Sequence, residues 1–289
     1  MMTIEQKRDL SSLTTFKIGG EAEFFASPET VDELYDVLSW ARERALRVII
    51  LGGGSNILFG DGLIRGLVIS TRDLKGIDLV GNYVRVGAGV FMDEINEWAI
   101  LNGRSGLEWS GGLPGTIGGA TYMNARAYQH EMSECVGRVH VVTLGGDDFW
   151  LEGKDLEYRY KHSVFMEHDD WIIVEVDLVL GHAEREEVEK LTRFHQEDRQ
   201  KKGQYLYPSA GCAFKNDYSR NLPAGKVIDE VGLKGTRIGG AEVYERHANF
   251  IVNKGDAKAD DVIRLIELIE QRVYEETGVW LEREIRIIR

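Results

Sequence analysis

The chain has few of the features that mark disulfide-stabilised, metal-binding or membrane-spanning proteins. Its 289 residues include only two cysteines, Cys135 and Cys212, which lie far apart and in no paired spacing. This spacing argues against a disulfide framework and against a zinc site. The seven histidines are scattered, and no further ligand accompanies the nearest pair, His162 and His168. We therefore predict no metal site.

Excess basic charge and long apolar runs are also missing. The sequence has 35 basic and 48 acidic residues, a formal net charge of −13. Nucleic acids and anionic membranes are bound by basic faces, so neither partner is expected. The N-terminus is polar, and no apolar run is long enough to cross a bilayer. We predict a soluble, cytoplasmic protein in which local cations hold any phosphate ligand against the net charge.

Two glycine-rich loops are the most informative features present. They read LGGGSNILF at residues 51–59 and GGLPGTIGGA at residues 111–120. Glycine loses more conformational entropy on folding than any other residue, and clusters of it let backbone N–H groups approach a ligand closely. Rows of such N–H groups bind anions, above all phosphates. A nucleotide site is one interpretation, and a pair of simple tight turns is the other.

Neither loop matches a standard nucleotide-binding motif. The dinucleotide fingerprint G-x-G-x-x-G leads directly into a helix, whereas residues 57–59 (ILF) resemble a strand and residues 121–123 (TYM) follow the second loop. No glycine run ends in Gly-Lys-Ser/Thr, so a Walker A loop is absent. A nucleotide would have to be bound by the loops of another fold.

Helical and strand patterns alternate along the chain and predict an α/β (α+β) fold. Ser27 and Pro28 are predicted to begin the first helix, and a buried strand at 47–51 feeds the first glycine loop. Further strands are predicted at 84–86, 171–180 and 279–288, and further helices at 92–102, 184–202 and from Asp260 to Gly278. A change of composition at residues 181–184 predicts a domain boundary.

Seven motifs occur in a fixed order from Thr14 to the end of the chain. They are TTFKIGG (14–20), LGGGSNILF (51–59), GLEWSGGLPGTIGGATYMNA (106–125), YRYKHSVF (158–165), YPSAGCAFKN (207–216), GLKGTRIGGAEVYERHANFIVN (232–253) and LEREIRI (281–287). Each motif alone is weak, but the ordered set is specific. Together they resemble the UDP-N-acetylenolpyruvoylglucosamine reductase (MurB) family of bacterial cell-wall synthesis, in its shorter form.

The resemblance implies a fold and a reaction. It implies an FAD-binding module of the vanillyl-alcohol-oxidase (PCMH) type at residues 14–182, with two subdomains, and a substrate-binding α/β domain at residues 183–289. NADPH is the implied co-substrate, and the enolpyruvyl group of UDP-N-acetylglucosamine enolpyruvate is reduced to give UDP-N-acetylmuramate. Neither histidine nor cysteine occurs in the glycine loops, so FAD is expected to bind non-covalently. A monomer is expected.

Three residues match catalytic positions of that family. Hydride addition to an enol ether bearing a carboxylate places negative charge on the carboxylate side, which calls for a cation and a positioned acid. The resemblance implies that Arg159 is the cation and Cys212, where most of the family has serine, the acid. It implies a catalytic role for Glu284 on the last strand. A thiolate could not donate a proton, so we expect the pKa of Cys212 to lie at or above neutral. The alternative roles are a surface arginine, a small buried cysteine and a solvated glutamate.

The resemblance also implies the binding residues. For FAD these are Gly52, Gly53, Gly54, Ser55, Asn56, Gly112, Pro114, Gly115, Thr116, Gly118, Gly119, Asn124, Tyr128 and Arg199. For substrate they are Tyr158, Lys202, Lys215, Asn216 and His247. The chain departs from the family at residues 203–205, where Gln-Pro is usual after the lysine. It also departs at Arg126 and Gln129, where glycine is common.

Two other functions remain open on the sequence alone. Another flavin oxidoreductase of the same fold would share the glycine loops but would not need the later motifs. A catalytically impaired relative would bind FAD or a nucleotide sugar without turning over NADPH.

Overall fold

The computed structural model describes residues 3–218 and 220–289 and confirms a mixed α/β fold. The α-helices are α1 (Val31–Glu43), α2 (Met92–Leu101), α3 (Ile117–Tyr122), α4 (Arg185–Lys201), α5 (Ala224–Glu230) and α6 (Ala259–Thr277). The strands are β1 (Glu5–Asp9), β2 (Glu21–Ala26), β3 (Val48–Leu51), β4 (Ile57–Phe59), β5 (Ile64–Ser70), β6 (Ile77–Val80), β7 (Tyr83–Gly87), β8 (Arg104–Ser105), β9 (Arg126–Ala127), β10 (His130–Glu131), β11 (Val136–Thr143), β12 (Asp148–Glu152), β13 (Trp171–Leu178), β14 (Gly181–His182), β15 (Ser209–Cys212), β16 (Arg237–Ile238), β17 (Ala241–Val243), β18 (Phe250–Asn253) and β19 (Arg286–Ile288).

The chain packs into two units, and neither unit is continuous in sequence. The first unit contains residues 3–6, 24–53 and 66–199, and the second contains residues 7–23, 54–65 and 200–289. Residues 183–199 therefore pack with the first unit, whereas the change of composition placed them in the second domain. Helix α4 carries this difference, because its side chains Thr192 and Arg199 are buried and Arg193 pairs with Glu97 of α2.

The first unit is built on a five-stranded antiparallel sheet. Its strand order is β12-β11-β13-β7-β6. Apolar side chains of the sheet, α2 and α3 form one core, in which Val86, Ile95 and Val139 are fully buried. A second core forms where the apolar stripe of α1 packs with the parallel pair β3 and β5. Burial of these faces is the main source of stability for both layers.

The first helix begins later than the sequence predicted. Thr30, not Ser27, is the N-cap, and its side chain accepts a hydrogen bond from the Glu33 amide at 3.1 Å. The hydroxyl of Ser27 is bonded to Asp73 instead. A Ser-Pro pair is compatible with a helix start. The helix nevertheless begins after Thr30, because the Thr30 side chain reaches the amide of the third helical residue.

The second unit has the four-stranded sheet β15-β18-β17-β16, covered by α5 and α6. The predicted stripe of α6 is buried, including Val262, Ile266 and Ile269. Gly278 ends the helix as predicted, with a φ of 71°. The cap is different, because the carboxylate of Asp61 accepts hydrogen bonds from the first amides of α6 at 2.8 and 3.1 Å. The sequence pattern had placed the start of this helix at Asp260.

The prediction that the last strand carries Glu284 is wrong. Strand β19 begins at Arg286 and pairs in parallel with β4. The residues before it bond to the segment after β15 instead: Glu282 accepts from the Lys215 amide, and Glu284 donates to the Ala213 carbonyl, both at 2.8 Å. These bonds flank an isolated antiparallel bridge between Phe214 and Arg283, so the alternating residues before β19 form one bridge rather than a continuous strand.

Candidate functional site

A half-buried arginine holds the first glycine loop. The Arg72 guanidinium donates to the carbonyl oxygens of Gly52 at 3.1 Å and of Gly53 at 2.9 Å. Because C=O and N–H point in opposite directions across a planar trans peptide, the amides that follow these carbonyls face away from Arg72. Burial lowers the pKa of Arg72. Arg72 belongs to no motif, so no sequence pattern predicted its role.

A second arginine, which is buried, supports the second glycine loop. Arg199 of α4 is 6% exposed, and it donates to the carbonyl oxygens of Gly111 at 3.1 Å and Trp109 at 3.4 Å. Its guanidinium lies 5.0 Å from the centre of the Tyr128 ring. The structure therefore brings Arg199 and Tyr128 to this loop, and their role in binding FAD stays a prediction. Arg72 and Arg199 supply the local positive charge that a phosphate ligand requires in a chain of net charge −13.

The two glycine loops approach each other at backbone distance. A Cβ atom placed on Gly53 would lie 2.5 Å from the Cα of Gly115, and one on Gly52 would lie 3.0 Å from the Thr116 hydroxyl. Gly112 and Gly115 have φ angles of 73° and 117°, which side chains rarely tolerate. These glycines are required by close approach and by backbone conformation together.

Two buried hydroxyl groups beside the loops have no protein partner. The Oγ1 atoms of Thr116 and Thr121 make no hydrogen bond within the described part of the chain. Thr116 stands at the N-cap of α3, a six-residue helix that the sequence did not predict, yet its side chain caps no amide. A buried hydroxyl without a partner costs about 1–3 kcal/mol, so these groups suit a polar ligand. Glycine amides, free hydroxyls and nearby arginines together fit the diphosphate of FAD.

Replacing Gly53 with alanine is expected to weaken the binding of FAD. The new methyl group would overlap the backbone of Gly115, and such overpacking costs about 1–3 kcal/mol, which is roughly tenfold or more in affinity. The flavin absorbance of the purified protein measures this. Gly62→Ala is the control, because a Cβ there meets nothing within 4 Å. Retention of FAD by Gly53→Ala at wild-type affinity would show that the close approach is not part of the site.

The segment from Asn124 to Gln129 is held in an unusual backbone conformation. Asn124, Tyr128 and Gln129 have φ angles of 42°, 51° and 70°, so the position of Gln129 is one that glycine adopts without strain. The Tyr128 hydroxyl donates to Asp198 at 2.7 Å, and its ring lies 4.2 Å from that of His195. The departure from glycine at Gln129 therefore leaves the left-handed conformation in place.

Arg159 lies in a tight turn after Tyr158. Its amide and carbonyl both bond to His162, at 3.2 and 3.1 Å. Its guanidinium lies 3.4 Å from Glu167 and 3.9 Å from Glu157, and the side chain is 65% exposed. The Tyr158 hydroxyl is buried with no partner among the residues that the structure describes, and burial raises its pKa.

Within the second unit, the structure brings together Cys212, Glu284 and Asn56. Cys212 ends strand β15 opposite Phe250. Glu284 donates its backbone N–H to the carbonyl of Ala213, the residue next to Cys212, at 2.8 Å. The Asn56 side chain donates to the Glu284 carbonyl at 3.0 Å. Three predicted site residues, far apart in sequence, therefore share one backbone junction.

The predicted substrate residues of the second unit have different environments. Lys215 forms an ion pair with Glu282 at 2.7 Å. The side-chain oxygen Oδ1 of Asn216 accepts a hydrogen bond from the Ala224 amide at 2.9 Å, at the start of α5. The Nδ1 atom of His247 is buried without a partner among the described residues. Burial lowers the pKa of His247, which favours the neutral ring.

Further groups that the sequence considered can also be placed. Burial raises the pKa of Cys135 to about 12. The thiol therefore stays protonated and unreactive at neutral pH. No group of three histidine, cysteine, aspartate or glutamate side chains in residues 3–218 and 220–289 has the arrangement of a metal site. Within the same residues, no helix has the length and apolar content needed to cross a membrane.

Comparison with known proteins identifies both parts of the chain. Residues 22–151 match the FAD binding domain family, and residues 200–288 match the family described as UDP-N-acetylenolpyruvoylglucosamine reductase, C-terminal domain. The UDP-N-acetylenolpyruvoylglucosamine reductase of Treponema denticola is 38% identical over 98% of this chain and 93% of its own length. That of a Synechococcus strain is 40% identical over 96% of this chain and 89% of its own length.

A solved structure agrees with these matches. The crystal structure of UDP-N-acetylenolpyruvylglucosamine reductase (MurB) from Thermus caldophilus has a TM-score of 0.84 and 34% identity, and the match covers 100% of both chains. The predicted fold class, the FAD cofactor and the oxidoreductase class are thereby confirmed. This chain belongs to the UDP-N-acetylenolpyruvoylglucosamine reductase family.

Proposed function

We propose that this protein uses NADPH to reduce the enolpyruvyl group of UDP-N-acetylglucosamine enolpyruvate, which yields UDP-N-acetylmuramate for peptidoglycan synthesis. The observation that carries the proposal is the junction where the Glu284 amide donates to the carbonyl of Ala213, the residue after Cys212, at 2.8 Å and the Glu284 carbonyl accepts from the Asn56 side chain at 3.0 Å. An oxidoreductase without a proton to deliver would not need a thiol and a carboxylate at one backbone junction. When bound, FAD transfers hydride from NADPH to the enolpyruvyl double bond.

Arg159 is the cation for the substrate carboxylate. Its contacts with Glu157 and Glu167 are solvent-exposed, and exposed ion pairs contribute only about 0–1 kcal/mol. The guanidinium can therefore leave them for a ligand at little cost. Its planar pair of N–H donors matches a carboxylate and stabilises the negative charge that develops as hydride adds.

Cys212 is the proton donor. One carbon of the double bond takes hydride, the adjacent carbon takes the proton of the Cys212 thiol, and the thiol regains a proton from solvent afterwards. The side chain packs with Tyr207 against Tyr244 and Phe250. Glu284 assists this proton transfer from the neighbouring segment.

The remaining binding roles follow from charge and burial. Lys215 and Lys202 attract the diphosphate of the nucleotide sugar, and Lys215 exchanges its partner Glu282 for it. Tyr158 and His247 offer buried polar atoms that have no hydrogen-bond partner in residues 3–218 and 220–289, and such atoms suit hydrogen bonds to the sugar or its substituents. We further propose a cytoplasmic monomer with non-covalent FAD and with no membrane or nucleic-acid partner.

Turnover with the enolpyruvyl nucleotide tests the proposed function. The purified protein is expected to be yellow and to release its chromophore in acid. NADPH consumption is expected to depend on UDP-N-acetylglucosamine enolpyruvate, and mass spectrometry of the product should show addition of two hydrogen atoms. A yellow protein that consumes no NADPH with this substrate would be the impaired relative. NADPH oxidation that is indifferent to the substrate would indicate a different flavin oxidoreductase.

A further inference from the structure

We propose that Asn124 is a positioning residue, whose side-chain amide fixes the peptide of Arg159 for catalysis. The proposal rests on the proposed function, because it takes Arg159 as the cation that binds the substrate carboxylate. It gives Asn124 a role different from the FAD contact that the family resemblance implied.

Asn124 bridges two separate segments of the first unit. Its Nδ2 donates to the Arg159 carbonyl at 3.1 Å, and its Oδ1 accepts from the Ser133 amide at 3.0 Å. The side-chain orientation is unambiguous, because one backbone partner can only accept and the other can only donate. The residue is 0% exposed. Both polar ends of the side chain are therefore bonded to protein rather than turned to a ligand.

The turn that carries Arg159 needs such support. Glu157 and Lys161, which flank it, have φ angles of 48° and 53°, and left-handed residues other than glycine cost about 1–3 kcal/mol each. Within the turn, the backbone amide and carbonyl of Arg159 bond to the backbone carbonyl and amide of His162. The carbonyl of Arg159 accepts from both the His162 amide and Asn124, each at 3.1 Å, which uses both of its lone pairs.

The consequence is a fixed backbone beneath a mobile guanidinium. The Arg159 side chain is 65% exposed, and its guanidinium lies 3.4 Å from the Glu167 carboxylate and 3.4 Å from the His162 ring, long contacts that it can leave for a ligand. The Asn124 side-chain amide holds the Arg159 backbone in place, and this fixes the position from which the guanidinium moves. Catalytic groups must be held close to the productive geometry, and a small misplacement costs about 10²-fold in rate.

Two substitutions separate the bonds that Asn124 makes. Asn124→Asp keeps the size and the acceptor for Ser133 but places a carboxylate oxygen against the Arg159 carbonyl. Asn124→Gly tolerates the φ of 42° and removes both bonds. Asn96→Asp is the matched control, since Asn96 is also buried in the first unit, where its amide bonds to Ser110 at 3.0 Å.

The expected result is a loss of kcat with substrate of about 10²-fold for both Asn124 variants, with FAD affinity and the rate of flavin bleaching by NADPH unchanged. Amide hydrogen exchange in residues 157–163 should become faster in the Asn124 variants and remain unchanged in Asn96→Asp. The Asn96 variant should also keep its kcat.

A double-mutant cycle decides whether Asn124 acts through Arg159. If it does, Asn124→Gly combined with Arg159→Ala is no slower than Arg159→Ala alone. Losses that multiply, or loss of FAD from the Asn124 variants, would overturn the proposal and return Asn124 to cofactor binding. Absence of turnover in the wild-type protein would instead refute the proposed function, and the hydrogen-exchange comparison would still report on the Asn124 bridge.

Discussion

Cys212→Ala is expected to slow reoxidation of the flavin by the enolpyruvyl nucleotide about 10²- to 10⁴-fold, the usual contribution of a positioned acid. Bleaching of the flavin absorbance by NADPH should stay at the wild-type rate, because that step needs no proton from the thiol. Stopped-flow absorbance separates the two steps. Cys212 is half-buried at the end of β15, so loss of one sulfur atom leaves the strand and its neighbours in place.

Cys212→Ser is the control for this result. A hydroxyl can donate a proton from the same position, so the serine variant is expected to remain active. Wild-type turnover by Cys212→Ala would show that the thiol is not the donor. A serine variant as slow as the alanine variant would show that the position needs sulfur for another reason.

Glu284→Gln is expected to lower kcat about 10²-fold, far more than Glu282→Gln. The amide keeps the shape of the carboxyl group, and the backbone bonds of Glu284 to Ala213 and Asn56 do not depend on its charge. Loss of activity would therefore report on proton transfer rather than on folding. Steady-state kinetics with saturating NADPH and substrate measure kcat.

The neighbouring carboxylate makes the control informative in its own right. Glu282 is paired with Lys215 at 2.7 Å, and its side chain is 72% exposed. Glu282→Gln frees Lys215 for the diphosphate, so its effect is expected in KM and not in kcat. Equal losses of kcat in the two variants would contradict the assignment of Glu284.

Local patterns predicted the regular elements well and their ends less well. The apolar stripe of α6 and the glycine that ends it were both readable, because helix periodicity and a left-handed C-terminus depend on neighbouring residues. The starts of α1 and α6 could not be predicted in the same way. Ser27 and Thr30 are both possible N-caps of α1, and the residue that caps α6, Asp61, lies in a distant segment. The strand predicted across Glu284 is reduced to β19 and to one bridge between Phe214 and Arg283, because the pairing partners of a strand lie in distant segments that its own pattern does not reveal.

The candidate site was also predicted only in part from the sequence. The ordered motifs contain the three predicted catalytic residues, including Cys212 in place of serine. They gave no indication of Arg72, because an isolated arginine outside any motif carries no pattern. They also did not show what Asn124 contacts, since its partners at Ser133 and Arg159 are fixed only when the chain folds.

The sequence by itself determined the family, the cofactor and the residue types that the reaction requires, because glycines, a thiol and charged side chains in fixed order carry that chemistry. Only the tertiary structure decided which glycines touch, which arginines support them and which carboxylate shares a junction with Cys212. These are contacts between residues far apart in the chain, and they depend on packing and on the pairing of distant backbone groups, which no local pattern encodes.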